Sequence, residues 1–387
     1  MNTGQPTGGR GWDVRVALAL ACAAALTGSG SIAASATSQE TANPPSTWTA
    51  SSSLHDSLCT HSLQFGARRW PPGCWRPYAD SSPFNLPIPD HPELHPDSAA
   101  IVRKLMGWGL PQNLLAGHAD TEADFYHPIF WSTLSDPVYT VHCVKFTPCA
   151  VEGHRLRIPA QARAAAGGDG HLAVMDQTTG WEYDFWQVRR KPENGGTLVV
   201  SHGGRTRTDG SGRGSNATAA WFGLAAGVVR AQELEAGDID HALFVAVRCS
   251  SGVAVYPAHQ GTSGAQCNEF GLSDKHAPPM GARLWLDMSD EEIGALQAPE
   301  WQKTLLWSMA HYGMLVGDTL AGHGSWGIQG DSGSSYTSFG SPDPWRRLAV
   351  DLQASPYGVG YAFNIGQGVD WASRLRVLSP CVSQQTC

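Results

Sequence analysis

The chain has 387 residues, 42% of them hydrophobic, enough material to bury a sizeable core in one large domain. Its formal net charge of -8 and pI near 6.0 exclude the basic footprint that nucleic acid or an anionic membrane surface demands. With 44 glycines and 25 prolines the chain predicts many turns and few long helices, and its 15 tryptophans predict an aromatic-rich core.

Arg10 and Arg15 flank the start of the chain, Val16 to Thr27 is an apolar run, and Ala34-Ser35-Ala36 is a small-residue cleavage site. Residues 1–36 therefore read as an export signal, too short for a comfortable membrane span. Residues 37–56, rich in Ser, Thr, Ala and Pro, read as a flexible linker, and 57–387 as a single disulfide-bonded β-rich catalytic domain. Apart from Cys22, the cysteines fall in local couples, 59–74, 143–149, 249–267 and 381–387, which in an exported chain read as disulfides. No C-x-x-C pair supports zinc. The expected location is secreted, either extracellular or periplasmic.

From Cys59 to Pro92 the chain carries Trp70, Trp75, Tyr78 and Phe84 among prolines, the composition of an irregular strap over the main domain. Residues 97–106 predict a short helix with Asp97 as its N-cap. Strands are expected at 138–145, 154–158, 171–176, 181–188, 197–202, 241–248, 252–257, 282–287, 314–318 and 325–329, separated by Gly, Pro and Asp. Residues 216–229 are apolar on nearly all sides and predict a buried helix. Ser289-Asp-Glu-Glu292 is a capping box, and after Pro299 a stripe of Trp301, Leu305, Met309 and Tyr312 predicts a helix stopped by Gly313. The fold class that follows is mainly β, an antiparallel β-sandwich or jelly-roll-like domain with a few packed helices.

The segment richest in chemistry is Asp169 to Trp186. If 171–176 and 181–188 are strands, side chains two apart share a face. His171, Ala173 and Met175 then point one way, while Glu182, Asp184 and Trp186 separate from Trp181, Tyr183 and Phe185. Asp169 two residues before His171 could orient that imidazole as a general base, and His241, in Asp238-Ile-Asp240-His241, could join it or complete a metal site. The ordinary alternative is strand-end histidines bonded to local backbone, so no metal is assigned.

Asp176, Asp184, Asp240, Asp318 and Asp331 supply carboxylates for glycosidic cleavage, which commonly needs one protonated carboxyl and a second as base or nucleophile. Asp184 sits among Tyr183, Phe185 and Trp186, an environment that could raise its pKa and stack a sugar. Asp318 closes the apolar run Met314-Leu-Val-Gly317, at a strand end where site residues project. Gly330-Asp331-Ser332-Gly333 matches the core of a chymotrypsin-like nucleophile motif, but no Ala-Ala-His-Cys segment precedes it. Trp326, Gln329 and Tyr336 fit better as the lining of a polysaccharide groove. An eliminative lyase would use His171, His241, Tyr183 or Tyr336 as base and Arg205, Arg207 or Gln329 against a uronate carboxylate. Asp209 to Ser215 lacks the Gly-Lys-Ser/Thr ending of a phosphate loop and reads as a turn.

Through Tyr78 to Pro89, Asp169 to Trp186, Ser215 to Ala220, Ile239-Asp-His-Ala242 and Tyr312-Gly-Met-Leu-Val-Gly-Asp318, the chain resembles a group of secreted bacterial proteins of unassigned activity. That resemblance implies export and a single folded unit, and attaches no reaction. The functional expectation is a secreted glycoside hydrolase using Asp184, Asp318 and Asp169, with His171 and His241 nearby and Trp186, Tyr183, Trp326, Gln329, Tyr336 and Arg205 holding substrate. The alternatives are a polysaccharide lyase and a non-catalytic carbohydrate-binding protein. The expected partner is an extracellular polysaccharide, with no nucleic acid, no stable membrane insertion and no cofactor, for a chain acting as a monomer.

Overall fold

Alternation of apolar and polar residues, interrupted by glycine and proline, gives this chain short strands, which among the described residues assemble into three sheets. The computed structural model describes residues 65–387 except 148, 216 and 261–263. The export signal, the linker and Cys59 with its expected couple 59–74 lie outside the described residues.

The six-stranded sheet has the order β2 (Ile129–Ser132), β5 (Leu172–Asp176), β6 (Trp181–Arg190), β7 (Gly196–Arg207), β3 (Val138–Cys143) and β4 (Arg155–Arg157). The five-stranded sheet runs β11 (Trp326–Ile328), β8 (Leu243–Val247), β10 (Met314–Thr319), β9 (Arg283–Leu286) and β14 (Leu375–Val377). The smallest sheet orders β1 (Leu114–Ala116), β13 (Gly360–Phe363) and β12 (Ser355–Tyr357). The fold is β-rich with packed helices, and its pairing is mixed: β2 with β5, β3 with β7 and β8 with β10 are parallel.

The strands expected at 171–176 and 181–188 pair antiparallel as a hairpin, with Val174 opposite Tyr183 and Ala173 opposite Asp184. Its two faces bury different cores. Leu172, Val174, Tyr183, Phe185, Leu198 and Val200 pack on one side. Ile129, Trp131, Ala173 and Met175 pack on the other, beneath Ala217, Leu224, Ala225 and Val228.

That covering segment is a correction to the expected helix at 216–229. It is buried as its composition demands, but it runs as successive turns. Thr218 Oγ1 accepts from the Phe222 amide at 2.9 Å, a side-chain bond that competes with helical pairing. Gly227, at φ +68°, passes so close to the Phe244 backbone that an added Cβ would lie 2.6 Å from its nitrogen. Ala220 N donates to Gly317 O and Phe244 N to Gly227 O, so the segment is stitched to the five-stranded sheet while it lies on the six-stranded one.

Helices form at Ser98–Trp108, one residue beyond Asp97, and at Glu300–His311 after Pro299, where Trp301, Leu305 and Met309 are buried. The Ser289 capping box is complete, with Ser289 Oγ accepting from Glu292 N and Glu292 Oε2 accepting from Ser289 N. Residues 252–257, expected as a strand, contribute an isolated bridge between Ala254 and Met280. Disulfides join Cys143 to Cys149, Cys249 to Cys267 and Cys381 to Cys387. Among the described residues no helix is long and apolar enough to cross a membrane.

Candidate functional site

Register on the six-stranded sheet places polar side chains in cross-strand rows on the face that carries Glu182, Asp184 and Trp186. Ile129, Ala173, Asp184 and Gly204 form one row, and Met175, Glu182 and Thr206 share the next. One step the other way Trp186 lies opposite His202, and the His127 and His171 rings meet edge to face with centroids 4.8 Å apart. Three imidazoles and an indole therefore stand together at one end of the sheet.

Asp169 joins this row through a loop that is held in place by backbone. Its carbonyl accepts from Gln187 N at 2.8 Å, and the Gly170 carbonyl accepts from Val188 N at 3.1 Å. The Trp186 indole N–H then donates to Asp169 Oδ1 at 3.1 Å. Asp318 arrives from the other sheet. Pairing of β10 with β8 shifts register between Val316 and Asp318, and a bulge of this kind re-aims the side chain that follows it. Gly317 permits the bulge, because a Cβ there would lie 2.2 Å from the Phe244 ring.

Together with Phe146, Ala217 and Ala219, the side chains of Asp169, His171, Trp186, His202 and Asp318 line an open cleft of about 400 Å³. Burial pushes the Asp318 carboxyl up to about 6, opposed by the Thr319 amide and reinforced by Asp169. Burial pulls His171 down to about 4, and it pulls His127 down to about 3 with help from His171. Both rings are thus uncharged at neutral pH. His127 Nδ1 donates to the Leu224 carbonyl at 2.7 Å, while the buried Nδ1 atoms of His171 and His202 have no hydrogen-bond partner. A half-buried acid facing a second carboxylate, beside an aromatic platform and neutral imidazoles, can protonate a leaving group and hold hydroxyls. Among the described residues, the groups of ligand atoms close enough to share a metal ion centre on Cys143–Cys149 and Cys381–Cys387, both disulfides. The cleft's carboxylates and imidazoles form no such group.

The remaining expected site residues lie elsewhere. Asp184 is fully buried under the 215–225 segment, and burial raises its pKa well above the ordinary value, with Glu182 adding to the rise. Neither Asp184 oxygen has a hydrogen-bond partner of good geometry, although Glu182 and Ser215 are near enough to affect its ionisation. Glu182 accepts from Tyr78 Oη at 2.5 Å and from Ala225 N at 2.9 Å. Glu182 thus anchors the covering segment, and Asp184, expected as a catalytic carboxyl, is buried beside it and away from the cleft.

His241 is not beside His171: it is buried with Nε2 3.1 Å from Glu233 Oε1. Tyr183 packs into the opposite core, and Arg205 stacks at 4.0 Å over the Trp181 ring. Trp326 is fully buried in the main core, and Gln329 Nε2 donates to the Phe125 carbonyl. Tyr336 is buried with its hydroxyl donating to Asp331 Oδ2 at 2.7 Å. Ser332, in the protease-like motif, donates to Asp124 Oδ2 at 2.6 Å and is buried, so that serine is a structural donor. His127, His202 and Phe146 were not apparent from sequence because each is isolated in its own segment.

The buried pair carries a pH prediction. A carboxyl whose folded pKa is raised stabilises the fold below its unfolded value, and that contribution is lost as pH rises through the folded value. Asp184→Asn should therefore gain thermal stability relative to the unaltered protein as pH is raised from 5 to 8.5, each pKa unit of elevation being worth about 1.4 kcal/mol. A stability difference between the two proteins that stays constant across that range would overturn the raised pKa of Asp184.

Compared with known proteins, the chain matches no protein family, no curated protein and no solved structure.

Proposed function

We propose that the protein is an exported glycoside hydrolase acting on an extracellular polysaccharide, with Asp318 as general acid and Asp169 as base or nucleophile. The observation that carries this reading is the convergence of those two carboxyls, Asp318 from β10 and Asp169 from the loop before β5, at a cleft walled by Trp186. With its pKa at about 6, Asp318 holds a proton in mildly acidic surroundings, as a leaving-group acid must. Trp186 offers a ring to a pyranose face, and its N–H fixes the Asp169 carboxylate. Neutral His171 can accept a bond from, or donate one to, a sugar hydroxyl without adding charge to the cleft.

Elimination is less well supported. It needs a cation or amide held against a uronate carboxylate, and the side chains lining this cleft include no arginine, asparagine or glutamine. The Lys145 ammonium stands over the Trp186 and Phe146 rings, at 5.0 and 5.1 Å from their centroids, and is not part of that lining. Export is supported by the amino-terminal pattern, by the disulfides and by the motif resemblance.

The test is incubation of the purified chain with a panel of neutral and acidic polysaccharides, with product mass spectrometry. Saturated oligosaccharides that gain one water per cleavage are the expected result. Products lighter by one water would reassign the cleft to a lyase. Binding in the cleft without turnover of any polymer would reassign it to a carbohydrate-binding protein.

A further inference from the structure

A second concavity, of about 520 Å³, lies beside the small sheet of β1, β12 and β13. It shares no lining residue with the Asp169–Asp318 cleft. The chain enters β1 through Leu110 to Asn113 and leaves β13 through Asn364 to Gln367, and Tyr357 ends the edge strand β12. Antiparallel pairing of β1 with β13 brings those entry and exit segments together, so the groove follows from the register Leu114 to Phe363.

Apart from the Tyr357 phenol, its polar side chains are carboxamides: Gln112, Asn113, Asn364 and Gln367. No acid, lysine, arginine or histidine lines it. Among the described residues, the Gln112, Asn113 and Gln367 side chains make no hydrogen bond, and Asn364 uses only its Oδ1, which accepts from Gly366 N at 3.0 Å. Each carboxamide offers two donors and two lone pairs, so most of this capacity is unspent. The Gln112 side chain lies against Gly324, where an added Cβ would sit 2.0 Å from its Nε2, so packing defines where that amide stands. Tyr357 and Leu110 leave about half their surface exposed, at 54% and 55%, and supply apolar contact beside the amides.

Amides that donate and accept side by side match vicinal hydroxyls, and a phenol ring matches the C–H face of a pyranose. Recognition of a uronate or sulfate would call for a fixed cation, which this lining lacks. We propose that this groove is a second, non-catalytic binding site for a neutral saccharide, separate from the cleft. It holds a polymer to the protein through uncharged hydrogen bonds and one aromatic contact.

Affinity electrophoresis of the full chain tests this, in native gels cast with galactomannan, xyloglucan or mixed-linkage β-glucan and, separately, with alginate or polygalacturonate. At least one neutral polymer should retard the protein, and retardation should persist in Trp186→Ala and in Asp318→Asn, which disable only the cleft. Tyr357→Ala and Gln367→Ala should each weaken that binding at least fivefold. Gln367 is an exposed loop residue, so its substitution leaves folding intact even if the change at Tyr357 disturbs the edge strand. Absence of retardation by every neutral polymer overturns the proposal. So does retention by the acidic gels alone, loss of binding in Trp186→Ala, or unchanged binding in both groove variants. Because binding is read in the Asp318→Asn protein, a failure of hydrolysis and a failure of this site are distinguishable.

Discussion

Asp318→Asn should lower the turnover of any polysaccharide the cleft accepts by about 10³-fold while leaving the fold intact, because general acid catalysis contributes typically 10²–10⁴-fold. Asparagine is isosteric with the protonated acid and keeps its place on the bulge after Gly317. It cannot give up a proton to a departing oxygen. The pH profile provides the sharper readout. With its pKa at about 6, Asp318 is protonated below that value, so kcat/KM should fall as pH rises through about 6. The residual activity of Asp318→Asn should lack that alkaline limb. On the acid side His171 stays neutral down to about pH 4 and His127 to about pH 3, so neither ring adds charge to the cleft in the working range. Full activity in Asp318→Asn, measured on correctly folded protein, would exclude Asp318 as the acid and leave Asp169 without its partner.

The parts of the cleft that could be read from sequence are those compressed into one hairpin. Asp169, His171 and Trp186 lie within eighteen positions, and period-two alternation fixes which of them share a face. The strand-end position of Asp318 was legible in the apolar run before it, though the bulge that aims its carboxyl was not. His127 and His202 join the row only through strand order and register, which are long-range quantities that no local pattern encodes. Burial misled the reading of Asp184 and Trp326 in one common way. Asp184 between Tyr183 and Phe185, and Trp326 between Ser325 and Gly327, look the same in sequence whether the strand face opens on water or lies under another segment. Residues 216–229 make the same point for secondary structure. Near-uniform apolarity predicts burial correctly, but cannot separate a buried helix from a buried run of turns. The small strands β1, β12, β13 and β14, each three or four residues, are too short to show a period at all.

Arg230→Met should destabilise the protein by about 3–5 kcal/mol, the usual cost of removing one partner from a buried ion pair. Arg230 and Glu233 are 3% and 1% exposed and meet at 2.7 Å. The same guanidinium donates to the carbonyls of Pro72, Gly73 and Trp75, so it also ties the strap to the body of the domain. Without it, those carbonyls lose their donor, and Glu233 keeps only His241 and the Arg230 amide. Burial alone would raise the Glu233 pKa, but Arg230 and His241 outweigh it and hold the carboxyl below its ordinary value. A depressed carboxyl stabilises the fold above its unfolded pKa and loses that contribution as pH falls through the folded value. The gap between the unaltered protein and Arg230→Met should therefore be widest near neutral pH and shrink on acidification, where Glu233 takes up a proton. Replacing both residues together, as Arg230→Met with Glu233→Leu, should recover part of the loss, since apolar groups need no charge partner. Urea titrations of the three variants at pH 7 and pH 4 measure both effects. A double variant no more stable than Arg230→Met would locate the loss in the strap carbonyls instead of the stranded carboxylate.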